Sequence, residues 1–75
     1  MNPKVGKTFG VHVKGESIPI NHITIETLHG QVVYDIDVDG DEFTINTSQY
    51  ENGIYLAHVN TDSGGLVKRF VVVHD

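Results

Sequence analysis

The sequence predicts an all-β fold, a sandwich of about seven short antiparallel strands, on three observations. First, 18 Ile and Val residues stand against 5 Leu, Ala and Met together. Branched Cβ atoms lose χ1 freedom in a helix and suit a pleated surface, so this ratio opposes a helical bundle. Second, apolar residues alternate with polar ones over short runs, the period of a half-buried strand. Third, Gly, Asn, Asp and Ser punctuate those runs at short, regular spacing.

The elements follow in chain order. Phe9, Val11 and Val13 alternate with Gly10, His12 and Lys14 and predict one strand, broken by Lys14-Gly15-Glu16-Ser17. Ile18 and Ile20 flank Pro19, which lacks an N–H for a ladder, so this piece is expected at a sheet edge. His22 to Leu28 sets Ile23 and Ile25 on one face and Thr24 and Glu26 on the other; His29-Gly30 ends it. Gln31 to Val38 predicts the next strand. Asp39-Gly40 is the strongest hairpin signal and predicts a type I′ turn into a strand over Glu42 to Asn46. Ser48 to Gly53 is a polar loop with room for one helical turn. Ile54 to Val59 is almost continuously apolar, as in a central strand covered on both faces. Asn60 to Gly65 is a turn, and Leu66 to His74 closes the chain with Val67, Val71 and Val73 on one side.

Seventy-five residues are expected to form one domain over 1–75, and a chain this short buries only about 60% of its unfolded surface. The formal charge is −5, and no Lys or Arg lies between Gly15 and Val67. A nucleic-acid binder needs clustered cations, so that class is excluded. If the termini meet, Lys4, Lys7, Lys14, Lys68 and Arg69 form a mildly basic end on an acidic body. There is no Cys, hence no disulfide or thiolate metal site. No apolar run exceeds four residues, Phe70 to Val73 being one, so no membrane-spanning helix is expected. The start, Met-Asn-Pro-Lys, lacks the apolar core of a signal peptide.

Candidate chemistry is sparse. Asp35, Asp37 and Asp39 before Gly40 open like a calcium loop, but Glu42 and Asn46 stand where that loop wants an apolar residue and a bidentate Glu. As strand residues, Asp35 and Asp37 share a solvent face opposite Ile36 and Val38. The five histidines, His12, His22, His29, His58 and His74, have no metal-ligand spacing. They are expected at the surface or rim, and no metal or cofactor is expected. No nucleophile elbow or phosphate loop is present, and Ser17, Ser48 and Ser63 sit in turn contexts. An enzyme is not expected. Tyr55, following Gly53-Ile54 at the start of a strand, has the place of the tyrosine corner of immunoglobulin-like sandwiches; a ring packed with its hydroxyl at the rim is the other reading.

Four blocks of the chain together resemble a known family. Asn2-Pro3 followed by Gly6 and the Phe9 strand is similar to an opening N-P-x-x-G block. Ile23-Thr24-Ile25 through Gly30-Gln31-Val32-Val33 is similar to a central v-x-i-x-x-x-x-G-Q-x-V block, and Gly53-Ile54-Tyr55 through Val59 to a G-x-Y-x-x-x-V block. Lys68-Arg69-Phe70-Val71-Val72 is similar to the closing basic-then-apolar strand. In this order and spacing they resemble the type A C-terminal sorting domains of the type IX (Por) secretion system of Bacteroidota. His29 before Gly30, Tyr50 in place of a common Leu, and the His74-Asp75 tail depart from the pattern.

That resemblance implies an immunoglobulin-like β-sandwich without catalytic activity. It implies a piece of a larger secreted protein that carries a cargo N-terminal to it through the periplasm and across the outer membrane to the cell surface or medium. The implied partners are the type IX translocon, outer-membrane shuttle components and a sortase-like surface peptidase that removes the domain. Within the four blocks, Gly30 and Gly53 are expected where the backbone needs positive φ or close approach. Gln31 beside the turn is either a cap or a displayed contact, and Val67 to Val73 is either the read-out element or the closing core strand. The alternative is a carbohydrate- or protein-binding sandwich module, for which six aromatics and no Trp supply little stacking platform. A plain spacer is the third reading.

Overall fold

The computed structural model describes residues 6–74, Val13 by its backbone alone. It is all-β, as the sequence predicts, with no helix among the described residues. The strands are β1 (Gly6–Gly10), β2 (His12–Val13), β3 (Glu16–Ser17), β4 (Ile20–Thr27), β5 (Val32–Gly40), β6 (Glu42–Asn46), β7 (Gly53–Thr61) and β8 (Gly64–Val72). An antiparallel sheet in the order β5-β4-β7-β8 forms one layer, and β1 paired with β6 forms the other. β2 and β3 make a minimal ribbon beside them.

Period-two alternation builds the core. Ile23 and Ile25 of β4, Tyr55, Ala57 and Val59 of β7, and Phe70 and Val72 of β8 face inward and are buried. Phe9 of β1 and Ile45 of β6 meet them from the second layer. Each fully buried side chain of this size contributes about 1.5–3 kcal/mol. The rings of Phe9 and Phe70 cross edge-to-face at 5.4 Å, joining the layers.

Three expectations are corrected. Asp39-Gly40 does not close a hairpin: both residues belong to β5, Gly40 pairs with Ile20, and β6 pairs with β1 in the other layer. Asp39 to Asp41 is therefore a corner where the chain changes sheets. The left-handed two-residue turn lies instead at Lys14 (φ 52°) and Gly15 (φ 82°), between β2 and β3. Pro19 is not in an edge strand; it precedes β4, where Ile20 is the buried first residue of an inner strand. β7 is not covered on both faces: Tyr55, Ala57 and Val59 are buried, whereas Ile54, Leu56 and His58 are half-buried beneath an open outer face.

Two boundaries also shift. The Phe9–Val13 stretch breaks at Val11, whose carbonyl accepts from Ile18 N–H at 2.8 Å, so β1 and β2 pair with different partners. The turn expected over Asn60 to Gly65 narrows to Asp62-Ser63, because Thr61 and Gly64 already pair. Asp35 and Asp37 do share the exposed face of β5, opposite the half-buried Ile36 and Val38.

Candidate recognition surface

One end of the sandwich gathers most of the residues in the four blocks. The turn from β4 to β5 is organised by Thr27. Its N–H donates to the Gln31 carbonyl at 2.9 Å, its carbonyl accepts from Gly30 N–H at 3.0 Å, and its hydroxyl accepts from the N–H groups of His29 and Gln31, both at 3.2 Å. Gly30 takes φ 86°, where a side chain would cost about 1–2 kcal/mol. Gln31 closes the turn with its backbone, and its side chain is displayed to solvent. Val33, the extra residue in a register shift between β4 and β5, stands exposed beside it.

The loop between β6 and β7 faces this hairpin. Tyr55 O–H donates to the Glu51 carbonyl four residues upstream at 2.7 Å, the geometry of a tyrosine corner. Two shallow, open depressions lie between hairpin and loop. One is lined by Thr27, Leu28 and His29 against Glu51 to Tyr55, the other by Gln31 and Val33 against Gln49 to Glu51. Gly6 opens β1 opposite Asn46, where this loop begins. A methyl on Gly6 would meet Thr44 Cγ2 at 3.1 Å and the Ile45 carbonyl at 3.2 Å, so Gly6 allows a close approach of β1 to β6. A methyl on Gly53 would meet nothing within 4 Å.

Aromatic rings tie the end to the core. Tyr50 leans on Tyr55 at 5.2 Å, and Tyr55 stacks on Phe70 at 5.6 Å. The Tyr50 hydroxyl is buried without a hydrogen-bond partner among the described residues. Burial, and then the neighbouring Tyr34 and Tyr55, push its pKa up. The chain beyond β8 is held here as well. His74 N–H donates to Asn52 Oδ1 at 2.7 Å, and a His74 ring nitrogen lies 2.8 Å from the Tyr50 carbonyl.

The block residues therefore divide into two groups. Gly6, Gly30, Gln31, Val33, Gly53 and Tyr55 converge on this end, with Phe70 and Val71 joined to it through their pairing with Tyr55 and Ile54. Lys68 and Arg69 lie farther along β8. Lys68 turns inward and donates to the Gly10 carbonyl at 3.1 Å, packing the basic strand against the N-terminal segment. Asn2 and Pro3 lie outside the described residues.

Sequence reasoning missed the pairings of the histidines. On the outer face of the sheet, His22 of β4 sits between two carboxylates of β5: Asp37 Oδ1 lies 2.6 Å from Nδ1, and Asp35 contacts Nε2. Only the imidazolium can donate from both nitrogens. The hydrogen bond to Asp37, reinforced by Asp35 and opposed by desolvation, raises the His22 pKa above 6.5. His58 Nε2 lies 2.6 Å from Glu26 Oε1 on the same face. The signal for these contacts was the period-two placement of ionisable residues on adjacent strands, which becomes readable only once the strand order is known. The two depressions at the end of the sandwich are open to solvent. The surface offers turns, a strand edge and an ionic face, an arrangement suited to contact with another macromolecule.

A model of the secretion-system C-terminal sorting domain matches residues 2–73. The chain belongs to that family, the sorting domains of type IX secretion. No curated protein and no solved structure matches it. For a type IX sorting domain, membership implies export across the outer membrane and interaction with the secretion machinery.

Proposed function

We propose that this domain is a non-catalytic address that directs a cargo N-terminal to it through the type IX translocon, with shuttle components of the outer membrane as further partners. The observation that carries the reading is the family match across residues 2–73. It is supported by the convergence of Gly6, Gly30, Gln31, Val33, Gly53 and Tyr55 on one end of the sandwich. A rigid end of turns and a strand edge presents backbone and side chains in fixed positions, which a translocon can read without a pocket. In this reading the domain is of the type A, from a member of the Bacteroidota, passes through the periplasm, and is removed at the surface by a sortase-like peptidase. Asn2, Pro3, Lys68, Arg69, Phe70 and Val71 complete the proposed recognition set.

The test is export of a reporter. Residues 2–75 are fused behind a periplasmically targeted fluorescent protein, in a host with an intact type IX system and in its translocon-null twin. Signal at the surface or in the medium of the intact host alone is the expected result. Retention of a folded fusion in the periplasm of both hosts would defeat the proposal and favour an accessory binding module.

A further inference from the structure

The four-stranded sheet has two unpaired edges among the described residues, β5 and β8, and they are built differently. β5 carries a register shift at Val33 and a row of carboxylates, and it leaves the sheet at the Gly40 corner. Bulges and charges are the usual guards against edge pairing. β8 has nine residues matched one-to-one with β7, with no register shift and no Pro.

The backbone polarity of β8 follows from its hairpin. A two-residue loop closes on a hydrogen-bonded pair, here Thr61 and Gly64, and the bonding direction then alternates along the strand. Leu66, Lys68, Phe70 and Val72 therefore bond β7, and the N–H and C=O groups of Val67, Arg69 and Val71 point to the free edge. The His74 N–H bond to Asn52, on the β7 side, has the same parity. The side chains of these three edge residues share the outer face. Val67 and Val71 are 56% and 59% exposed and flank Arg69, which makes no ion pair among the described residues. Lys68, the other cation of the strand, is already engaged at Gly10.

We infer that the free edge of β8 takes up an extended strand of a partner protein, apolar on the face it shares with Val67 and Val71 and bearing a carboxylate opposite Arg69. The inference rests on the sorting reading only for the source of the partner, a component of the secretion machinery. Charge selects the occupant. A second copy paired through the middle of β8 would set Arg69 against Arg69, and opposed like charges destabilise a strand pair. The β5 edge of a second copy is bulged, and its Asp35 and Asp37 are held by His22. The net charge of −5 favours a strand with one carboxylate over a polyanionic one.

The test uses the 75-residue chain and two synthetic strands of alternating Thr and Val, one with a central Glu and one with a central Lys. With the Glu strand, amide hydrogen exchange is expected to slow at Val67, Arg69 and Val71. Its affinity should exceed that of the Lys strand by about threefold to fivefold, the worth of one cross-strand charge pair. Val71→Pro removes an edge donor while sparing the bonds to β7, a placement edge strands tolerate. It should weaken binding by about fivefold or more. Arg69→Glu, a surface change that keeps the fold, should reverse the preference between the two strands.

Protection on β5 instead of β8, binding indifferent to Val71→Pro, or a dimer in sedimentation that competes with the Glu strand would each overturn the inference. Export separates it from the sorting reading. If folded Val71→Pro loses the peptide yet its fusion is exported at the wild-type level, strand addition stands and β8 is not the translocon's read-out. If the wild-type fusion is exported but no peptide protects β8, the sorting reading stands and strand addition falls.

Discussion

β5 and β8 are the outer strands of one sheet and equal in length, yet they divide its work in opposite ways. β8 drives Phe70 and Val72 into the core and leaves its free backbone plain. β5 contributes none of the fully buried residues and spends its outer face on Asp35 and Asp37, which grip His22 on the neighbouring strand. A small sandwich gains most of its stability from a few inward positions, so the strand that anchors the core has little freedom to vary on that side. Its outer side is where a partner can be served without unfolding the domain.

The largest test of this division compares the two strands directly. Phe70→Ala removes a ring that touches Phe9 and Tyr55 and should cost about 3–5 kcal/mol in urea unfolding, most of the stability of a domain this size. Ile36→Ala on β5, half-buried, should cost about 1 kcal/mol. Comparable losses at the two positions would erase the distinction. Next in size, Tyr55→Phe deletes the bond to the Glu51 carbonyl and should lower stability by about 1 kcal/mol in the same assay.

A smaller effect belongs to the β5 side and depends on pH. His22 gains carboxylate partners on folding, and its pKa rises above the ordinary 6.5. The stabilisation is complete below 6.5 and is lost as pH climbs through the raised folded value. The melting temperature of the wild type should therefore fall more steeply than that of His22→Gln over this window. Parallel curves would show that the pair contributes nothing. The smallest expected change is Tyr50→Phe. Because that hydroxyl is buried without a partner among the described residues, its removal should leave the unfolding midpoint unchanged or raise it slightly. A loss as large as that of Tyr55→Phe would mean that Tyr50 has a bonding role.

Much of the fold was legible because its signals were local. Alternation in Ile23 to Ile25 and in Tyr55 to Val59 revealed inner strands, Gly30 marked its turn, and Tyr55 its corner. Asp39-Gly40 misled because turn chemistry records a tight bend and not which strands meet across it; Gly40 pairs with Ile20 rather than with the strand that follows. Pro19 misled in a similar way, since its missing donor matters only inside a ladder and the ladder begins one residue later. The residues of the four blocks were readable in the sequence as a set of positions. Their cohesion was not, because Gly6, Gln31 and Tyr55 are brought together by pairings between distant segments, and the grip of Asn52 on His74 depends on the β7–β8 register.

The pairing of β1 with β6 also bears on the order of folding. The β7–β8 and β4–β5 hairpins need only neighbouring residues, so they are available early. β1 precedes the other described strands in the chain but has no partner until Glu42–Asn46 follows, and the layer they form must settle on inner faces supplied by β7 and β8. The first described strand is thus expected among the last to be fixed. Both layers contribute to one core cluster, so two-state, cooperative unfolding of the whole domain is expected. Truncation within the strands is therefore expected to remove the folded surface as a whole and not to leave a weaker version of it.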